Sequence, residues 1–260
     1  MNRPLIFLFA TTLLLLFCGC TTLKQPAAVT NKTESPPPPE MVAVYSPAAV
    51  VIDGALDDPV WKRATAYPME RAADDIKSGK SMEQPGEIRL AWDQEYLYLG
   101  VSFTDSDIVA EGEGDQLHHY QLGDVVEWFI KPENNTWYWE LYCTPHSRKT
   151  AFFYPSRGHL GLPSTLKYQC DLRVAAGIDG TVNAWKDTDQ GWTAELAMPV
   201  ADLSAHGDRI APGEAWRVLV ARYNYSVHLK SFGSERSSAP QLPWINFHLL
   251  PKFATLKIEK

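Results

Sequence analysis

Short segments that alternate polar and apolar residues, separated by turns, constrain the fold of this chain more than any other feature. Four of them, EIRLAWD, EYLYLGVSFTD, DVVEWFIKP and WYWELYCTP, follow one another between residues 87 and 145 and are typical of successive hairpin strands. Further candidates are KTAFFYP, CDLRVAAGID, GWTAELAMPV and AWRVLVARYNY. Because successive side chains of a strand point to opposite faces, this alternation indicates strands with one face on a core.

Helical patterns are confined to two short pieces, at residues 56–64, where an aspartate is available as an N-terminal cap, and at residues 199–207. Strands and helices do not alternate along the chain, which disfavours a doubly wound parallel sheet. We therefore predict an all-β fold, an antiparallel β-sandwich of two packed sheets, jelly-roll-like, with one or two short helices.

The amino terminus has the pattern of an export signal over residues 1–20. Arg3 precedes an apolar block at residues 5–17, which is too short to span a bilayer, since a spanning helix needs about 20 apolar residues. The block ends in LFCGC, which resembles a bacterial lipoprotein box and predicts lipidation at Cys20. Simple secretion and an uncleaved anchor are the alternatives. The expected location is the cell envelope, with the chain anchored by lipid to the outer membrane or the cell surface.

A spacer follows the signal. Residues 21–41 are poor in apolar side chains and contain four consecutive prolines at 36–39, so this stretch predicts an extended tether. The remaining residues, 42–260, suit a single folded domain, because all-β sandwiches of ~200 residues are commonly undivided.

Charge and cysteine content limit the function and the covalent structure. The formal net charge is −7 and the chain has no basic run and no glycine-rich phosphate loop, which makes nucleic acid an unsuitable partner. Cys143 and Cys170 are the only cysteines of the predicted domain. In an oxidising compartment they fit a disulfide, and two buried free thiols fit equally well.

Six motifs in order carry a family resemblance. They are VIDGALDDPVW, IRLAWDQEYLYLGVSFTDSD, GDVVEWFIKP with WYWELYCTP, GWTAELAMPVADL, PGEAWRVLVARYN and FHLLPKFATLKI. In order and spacing, over residues 50–258, they resemble the family 9 carbohydrate-binding module. The resemblance implies a β-sandwich that binds an oligo- or polysaccharide without turnover, in some members with structural calcium. Exported glycoside hydrolases that degrade polysaccharides are the expected partner enzymes.

The resemblance also points to ligand-stacking aromatic residues. A pyranose ring packs its C–H face on an aromatic ring, so a sugar site needs such platforms beside fixed polar groups. One family platform lies just before the D-x-x-E segment, where Tyr120 is the nearest match. The other lies shortly before the closing P-x-F pattern, where spacing favours Phe247 and side-chain type favours Trp244.

Three polar residues match family positions in the same way. Glu127 matches the glutamate of D-x-x-E, and Glu140 stands where members carry a ligand-contacting polar residue. Alternation puts Glu140 on one face of its strand with Tyr138 and Tyr142, a face that we interpret as wet and aromatic. Whether both glutamates share a face depends on hairpin register, and exposed carboxylates at a sheet edge are the alternative. Arg222 matches a recurrent arginine, which either holds sugar hydroxyls or pairs with a buried carboxylate such as Glu127.

Calcium is the metal that the resemblance allows, because acidic residues cluster in the loops. Asp53 and Asp105 are weak candidate ligands, and solvated acidic turns are the alternative. No organic cofactor is expected.

Two rival functions remain. A glycoside hydrolase needs two carboxyls about 5 to 9 Å apart across a cleft, whereas Asp124 and Glu127 are three residues apart on one strand and point to opposite faces. A haem-binding electron-transfer sandwich needs axial ligands. The residue types for it are present at Met82, Met198, His118 and His248.

Overall fold

The computed structural model describes residues 37–230 and 233–260. The predicted signal, the lipidation site Cys20 and most of the predicted tether lie outside the described residues. The strands are β1 (Glu40–Tyr45), β2 (Tyr67–Pro68), β3 (Gly86–Trp92), β4 (Tyr96–Thr104), β5 (Val125–Pro132), β6 (Tyr138–Cys143), β7 (Lys149–Tyr154), β8 (Arg173–Asp179), β9 (Gly191–Pro199), β10 (Trp216–Tyr225), β11 (Ser234–Ala239) and β12 (Ala254–Ile258). The α-helices are α1 (Pro59–Arg63), α2 (Ala73–Lys77) and α3 (Val200–Leu203).

The mostly β class is confirmed, and all eight predicted strands are present as β3 to β10. Both predicted helical pieces are present as α1 and α3. Asp58 precedes α1, but its side chain does not cap the helix and instead accepts the backbone N–H of Val51. The first strand begins at Glu40, slightly before the predicted start of the domain at residue 42.

The sheet differs from the prediction of two separate antiparallel sheets. The strands form one hydrogen-bonded path, in the order β7-β6-β5-β10-β12-β1-β3-β4-β9-β8, with β11 beside β10 and β2 beside β3. The first strand pairs in parallel with both β12 and β3, so the sheet is mixed. Strands β12 and β1 lie in the middle of this path and join one half (β7, β6, β5 and β10) to the other (β3, β4, β9 and β8). The sheet is therefore continuous, whereas a sandwich would consist of two sheets that are not hydrogen-bonded to each other.

The two halves of the path face each other across one apolar core. Trp128 of β5 and Trp139 of β6 belong to the same buried cluster as Leu90, Leu99 and Leu196 of β3, β4 and β9. These positions alternate along their strands, which explains why the sequence pattern identified the strands.

A second apolar cluster covers the opposite face of β5, β6 and β10. Phe129 of β5 and Leu219 of β10 pack there against Leu242, Phe247 and Phe253 from the segment between β11 and β12. The face that holds Tyr138, Glu140 and Tyr142 is therefore buried under this segment, and the prediction of a wet face is wrong. This covered face positions the site described below.

Both domain cysteines are free thiols, so the disulfide alternative is not formed in the structure. Cys143 is buried and Cys170 is half-buried. Among the described residues, no helix combines the length and apolar character that crossing a membrane requires.

Candidate functional site

A cavity of about 400 Å³ lies on the covered face, between strands β5, β6, β7 and β10 and the segment before β12. Six aromatic rings line it: Tyr120, Tyr142, Phe152, Tyr154, Tyr223 and Phe247. Its polar and charged lining consists of His118, Glu127, Glu140, Arg236, Asn246 and His248. Apolar walls with a few convergent polar groups are the usual make-up of a small-molecule site.

The register of the β5–β6 hairpin brings the two predicted glutamates together. Glu127 is paired with Tyr142, and Glu140 is paired with Phe129. The two glutamates are thus diagonal neighbours on one face, which answers the question that the sequence left open. Their exposed fractions are 2% for Glu127 and 3% for Glu140, so the alternative of exposed edge carboxylates is wrong.

The carboxyl group of Glu140 has only part of its hydrogen-bonding capacity filled. The hydroxyl of Tyr142 donates to its Oε1 at 2.5 Å. The other oxygen, Oε2, has no hydrogen-bond partner of ordinary geometry among the described residues. The nearest ring nitrogen, Nε2 of His248, lies 3.7 Å from Oε2, beyond hydrogen-bond distance. One buried carboxylate oxygen is therefore left available to a ligand.

Burial makes both carboxyl groups weak acids. It raises the pKa of Glu140 to about 7, against a smaller opposing influence of the Tyr142 and Tyr154 hydroxyls. It raises the pKa of Glu127 well above the ordinary value, and the nearby Glu140 raises it further. Burial and the charge of Arg157 lower the pKa of His248 to about 4. At neutral pH His248 is therefore uncharged, and burial together with mutual repulsion disfavours the ionisation of both glutamates at once.

Other buried carboxylates in the described residues are satisfied by the fold. Asp124, Glu195 and Glu235 each accept two backbone N–H groups. Asp105 pairs with Arg222, whose Nη2 lies 3.1 Å from its Oδ2. Neither a backbone N–H nor a cation hydrogen-bonds to the cavity glutamates among the same residues. Among the buried acids named here, the two cavity glutamates are therefore the exception, since the fold supplies them with hydroxyl donors such as Tyr142 and with no charge that would offset their ionisation.

Arg222 lies away from the cavity. It is paired with Val126 of β5, on the face opposite to Glu127, and it is 1% exposed. Its guanidinium donates to the backbone carbonyls of Gln84 and Thr104 as well as to Asp105. The predicted pairing with a buried carboxylate is confirmed, but the partner is Asp105 and not Glu127, because alternation along β10 turns Arg222 toward the loop that follows β4.

The three candidate platforms separate in the structure. Tyr120 is half-buried in the cavity wall, with its ring centroid 5.6 Å from that of Tyr223. Phe247 also lines the cavity, edge-on to Tyr223 at 5.5 Å. Trp244 is 49% exposed and does not line the cavity. Side-chain type thus favoured a residue outside the cavity, and spacing favoured one inside it.

Comparison with known proteins agrees with this architecture. Residues 52–211 match the family model described as carbohydrate family 9 binding domain-like. The match spans more than half of the chain. The chain belongs to this family. No curated protein sequence matches it. The family match ends before β10, so Tyr223 and Phe247 lie beyond it.

Solved structures resemble this family 9 chain at low sequence identity. A putative carbohydrate-binding protein from Bacteroides uniformis ATCC 8492 is 14% identical, with a TM-score of 0.61 over 85% of this chain and 99% of that chain. A family 9 carbohydrate-binding module from Caldicellulosiruptor kristjanssonii, in complex with cellotriose, is 12% identical, with a TM-score of 0.56 over 85% of this chain and 93% of that chain. The same module in complex with glucose gives the same identity and TM-score, over 95% of that chain. At these identities the likeness shows the fold.

The structural calcium that the family resemblance allows does not fit the two candidate ligands. Asp105 is fully buried and engaged by Arg222, and Asp53 accepts the backbone N–H of Ala55 in its own loop. Across residues 37–230 and 233–260, no group of three or more His, Cys, Asp or Glu side chains is arranged to hold a metal. Calcium needs six to eight oxygen ligands, so these two aspartates do not build a site for it.

The residues considered for haem binding are not assembled into a pair of axial ligands. Met198 is fully buried in the main core, between β4 and β8. His118 and His248 line the cavity on the other face of the sheet, and no methionine is among the described residues that line it.

Several residues that line the cavity were not predicted from the sequence, namely Tyr154, Tyr223, Arg236 and Asn246. The position of His248 in the cavity was not predicted either. Tyr223 follows Arg222 on β10, so alternation alone placed it on the opposite face from the arginine. Asn246 and His248 come from a segment without periodicity, and no sequence signal would have placed them.

Proposed function

We propose that this chain binds a carbohydrate, without turnover, in the cavity that holds Glu127 and Glu140. The observation that carries the proposal is the pair of buried glutamates that the fold leaves without a cation or a backbone donor. Sugar hydroxyls donate and accept hydrogen bonds, and a carboxyl group offers an acceptor oxygen to them whether it is protonated or ionised. The surrounding rings supply apolar faces for the C–H groups of a pyranose.

The size of the cavity, the family membership of the chain and the ligands of a structurally similar module support the same function. About 400 Å³ falls in the range of ordinary small-molecule sites. Membership of the family 9 binding domain-like group favours carbohydrate as the ligand class. The structurally similar module from Caldicellulosiruptor kristjanssonii was solved with cellotriose and with glucose, which makes oligosaccharides the first ligands to test.

Export and anchoring are part of the proposal. The signal pattern, Cys20 in LFCGC and the proline-rich stretch favour a lipid-anchored chain whose domain is held away from the membrane. Such a protein would retain polysaccharide fragments at the cell envelope for exported glycoside hydrolases.

Glycoside hydrolysis is the second candidate, because two carboxyl groups share one face of the cavity. A glycosidase needs environments that push the two pKa values apart, so that one group stays protonated while the other stays ionised. Here burial raises both values. The cavity therefore lacks the dependable carboxylate that a nucleophile or base requires, which favours binding over turnover.

A glycan panel tests the proposal. We expect the chain from residue 21 onward to bind at least one saccharide, and Glu127→Gln to weaken that binding, whereas the exposed Glu113→Gln leaves it unchanged. The same mixtures are examined for cleaved products. Hydrolysis by pure protein that disappears in Glu127→Gln would replace the binding proposal by the hydrolase.

A further inference from the structure

The cavity has an unusual balance of charge for a site that would take only neutral sugars. Two acidic side chains, Glu127 and Glu140, lie deep in it and are nearly fully buried. Arg236 is the cationic side chain among the described lining residues, and it is exposed to solvent, which screens its charge. Two histidines, His118 and His248, also line the cavity, and His248 is uncharged at neutral pH because its pKa is lowered to about 4.

The hydroxyl groups of a neutral sugar match the two buried glutamates only in part. Each hydroxyl donates one hydrogen bond but brings no charge, so it does not offset the burial and the mutual repulsion that disfavour ionisation of both glutamates. An ammonium group carries three donors and a positive charge that offsets both carboxylates. The oxygen Oε2 of Glu140, which is buried and without a hydrogen-bond partner among the described residues, is an acceptor ready for one of these donors.

The aromatic walls also suit a cation. Tyr120, Tyr223 and Phe247 stand next to one another, with ring centroids 5.5 and 5.6 Å apart, and Tyr154 lines the same cavity. The negative faces of such rings attract an ammonium group, most strongly where water is excluded. Rings and acids together therefore form a cage that recognises a cationic group on a ligand with apolar C–H faces.

We propose that the preferred ligand of this cavity is an amino sugar with a free, protonated amino group, held between Glu127 and Glu140 and enclosed by the aromatic rings. The inference rests on the proposed carbohydrate binding and narrows its substrate class.

Three disaccharides with the same β-1,4 linkage, which differ only at C2, separate the possibilities. They are the disaccharide of glucosamine, its N-acetylated counterpart and cellobiose. Isothermal titration of the chain from residue 21 onward, which contains every described residue, at about pH 6 keeps the amines charged. We expect the glucosamine disaccharide to bind about tenfold more tightly than cellobiose, or better, with the N-acetylated form near cellobiose.

Glutamate variants give the readout that assigns the preference to this site. Glu127→Gln and Glu140→Gln keep the shape of the side chain and remove its charge, so each should bring the affinity ratio close to one while cellobiose still binds. Glu113→Gln, an exposed control, should leave the ratio unchanged. Titration in buffers of different ionisation enthalpy should also show protons released by the glutamate pair when the amine binds, and none when cellobiose binds.

The outcomes distinguish this inference from the proposed function. Equal or weaker binding of the glucosamine disaccharide, with cellobiose bound, overturns the amino-sugar preference and leaves carbohydrate binding intact. A preference that survives both glutamate substitutions overturns the assignment to this pair. A folded chain that binds no saccharide of the wider panel overturns both.

Discussion

At the scale of single residues, the structure changes what is expected of the aromatic candidates. Tyr120→Ala removes a ring from the cavity wall and should weaken saccharide binding by roughly 1 to 3 kcal/mol, the range of aromatic stacking at ligand sites. Trp244→Ala removes a ring outside the cavity, so its effect on a disaccharide should stay below about 1 kcal/mol. Titration calorimetry on both variants measures the difference.

Tyr120→Phe is the matched control, since it keeps the ring and removes only the hydroxyl, which accepts a hydrogen bond from Gln121. We expect affinity near that of the parent chain. A larger loss in Trp244→Ala than in Tyr120→Ala would show that the ligand lies outside the cavity, on the exposed tryptophan.

A second residue-scale prediction concerns the dependence of stability on pH. The pKa of Glu140 is raised from 4.5 to about 7 in the folded state, so the folded chain binds its proton more tightly than the unfolded chain does. This stabilisation is fully present below the unfolded pKa and is lost as pH rises through the folded pKa. Urea denaturation should therefore give a free energy of unfolding that declines between about pH 5 and about pH 8.

Glu140→Gln cannot ionise and should flatten that decline. Relative to the parent chain, the variant should gain about 1 to 3 kcal/mol between the two ends of the pH range, allowing for the coupled carboxyl group of Glu127. Glu113→Gln should follow the parent curve, because its carboxylate is exposed. Parallel curves for the parent chain and Glu140→Gln would show that the Glu140 carboxyl group is not perturbed by folding.

At the scale of the elements, sequence reasoning succeeded where a strand has one core face and failed where it does not. Strands β3 to β10 alternate, and their pattern predicted them. The strand β11 (SERSSA) is polar in sequence, although four of its six residues are buried. The short strands β1 and β12 pair through a parallel ladder that joins the first and last strands of the described domain. Local pattern carries no information about such long-range pairing.

For the candidate site, too, strand alternation predicted one part of the arrangement and left the other part undetermined. Alternation fixed the face of each strand, so it placed Tyr138, Glu140 and Tyr142 together. It did not fix the register between β5 and β6, and that register is what makes Glu127 a neighbour of Glu140. The partner of Arg222 depended on the loop after β4, which brings Asp105 beneath β10. Register and loop packing are tertiary properties, and a single sequence specifies them only through the whole fold.

At the scale of the whole molecule, the domain and its expected anchor have separate tasks. The described residues from Pro37 onward form one compact unit. Every strand of its sheet begins at Glu40 or later, so the sheet contains none of residues 1–36. Saccharide binding is therefore expected to belong to this unit, whereas retention at the membrane is expected to depend on Cys20 and the segment that precedes the unit.

Substitution of the lipidation site tests that division. In a bacterial host that processes lipoproteins, Cys20→Ser should move the exported chain from the membrane fraction to the soluble fraction, because no acyl chain can be attached. Cys18→Ser is the matched control: it changes a neighbouring cysteine that does not occupy the expected acylation position, and it should leave the chain in the membrane fraction. Labelling with a radioactive fatty acid should follow the same pattern.

The saccharide affinity of the released Cys20→Ser chain should equal that of the chain from residue 21 onward, since the cavity is built wholly from residues after Leu117. A Cys20→Ser chain that stays with the membrane would assign retention to the apolar block at residues 5–17 as an uncleaved anchor. If the Cys20→Ser and Cys18→Ser chains were both released and both kept the fatty-acid label, the label would not be on Cys20. Acylation at Cys20 would then be excluded as the means of retention. Retention of the Cys18→Ser chain beside loss of the Cys20→Ser chain and its label is the result that the signal pattern predicts.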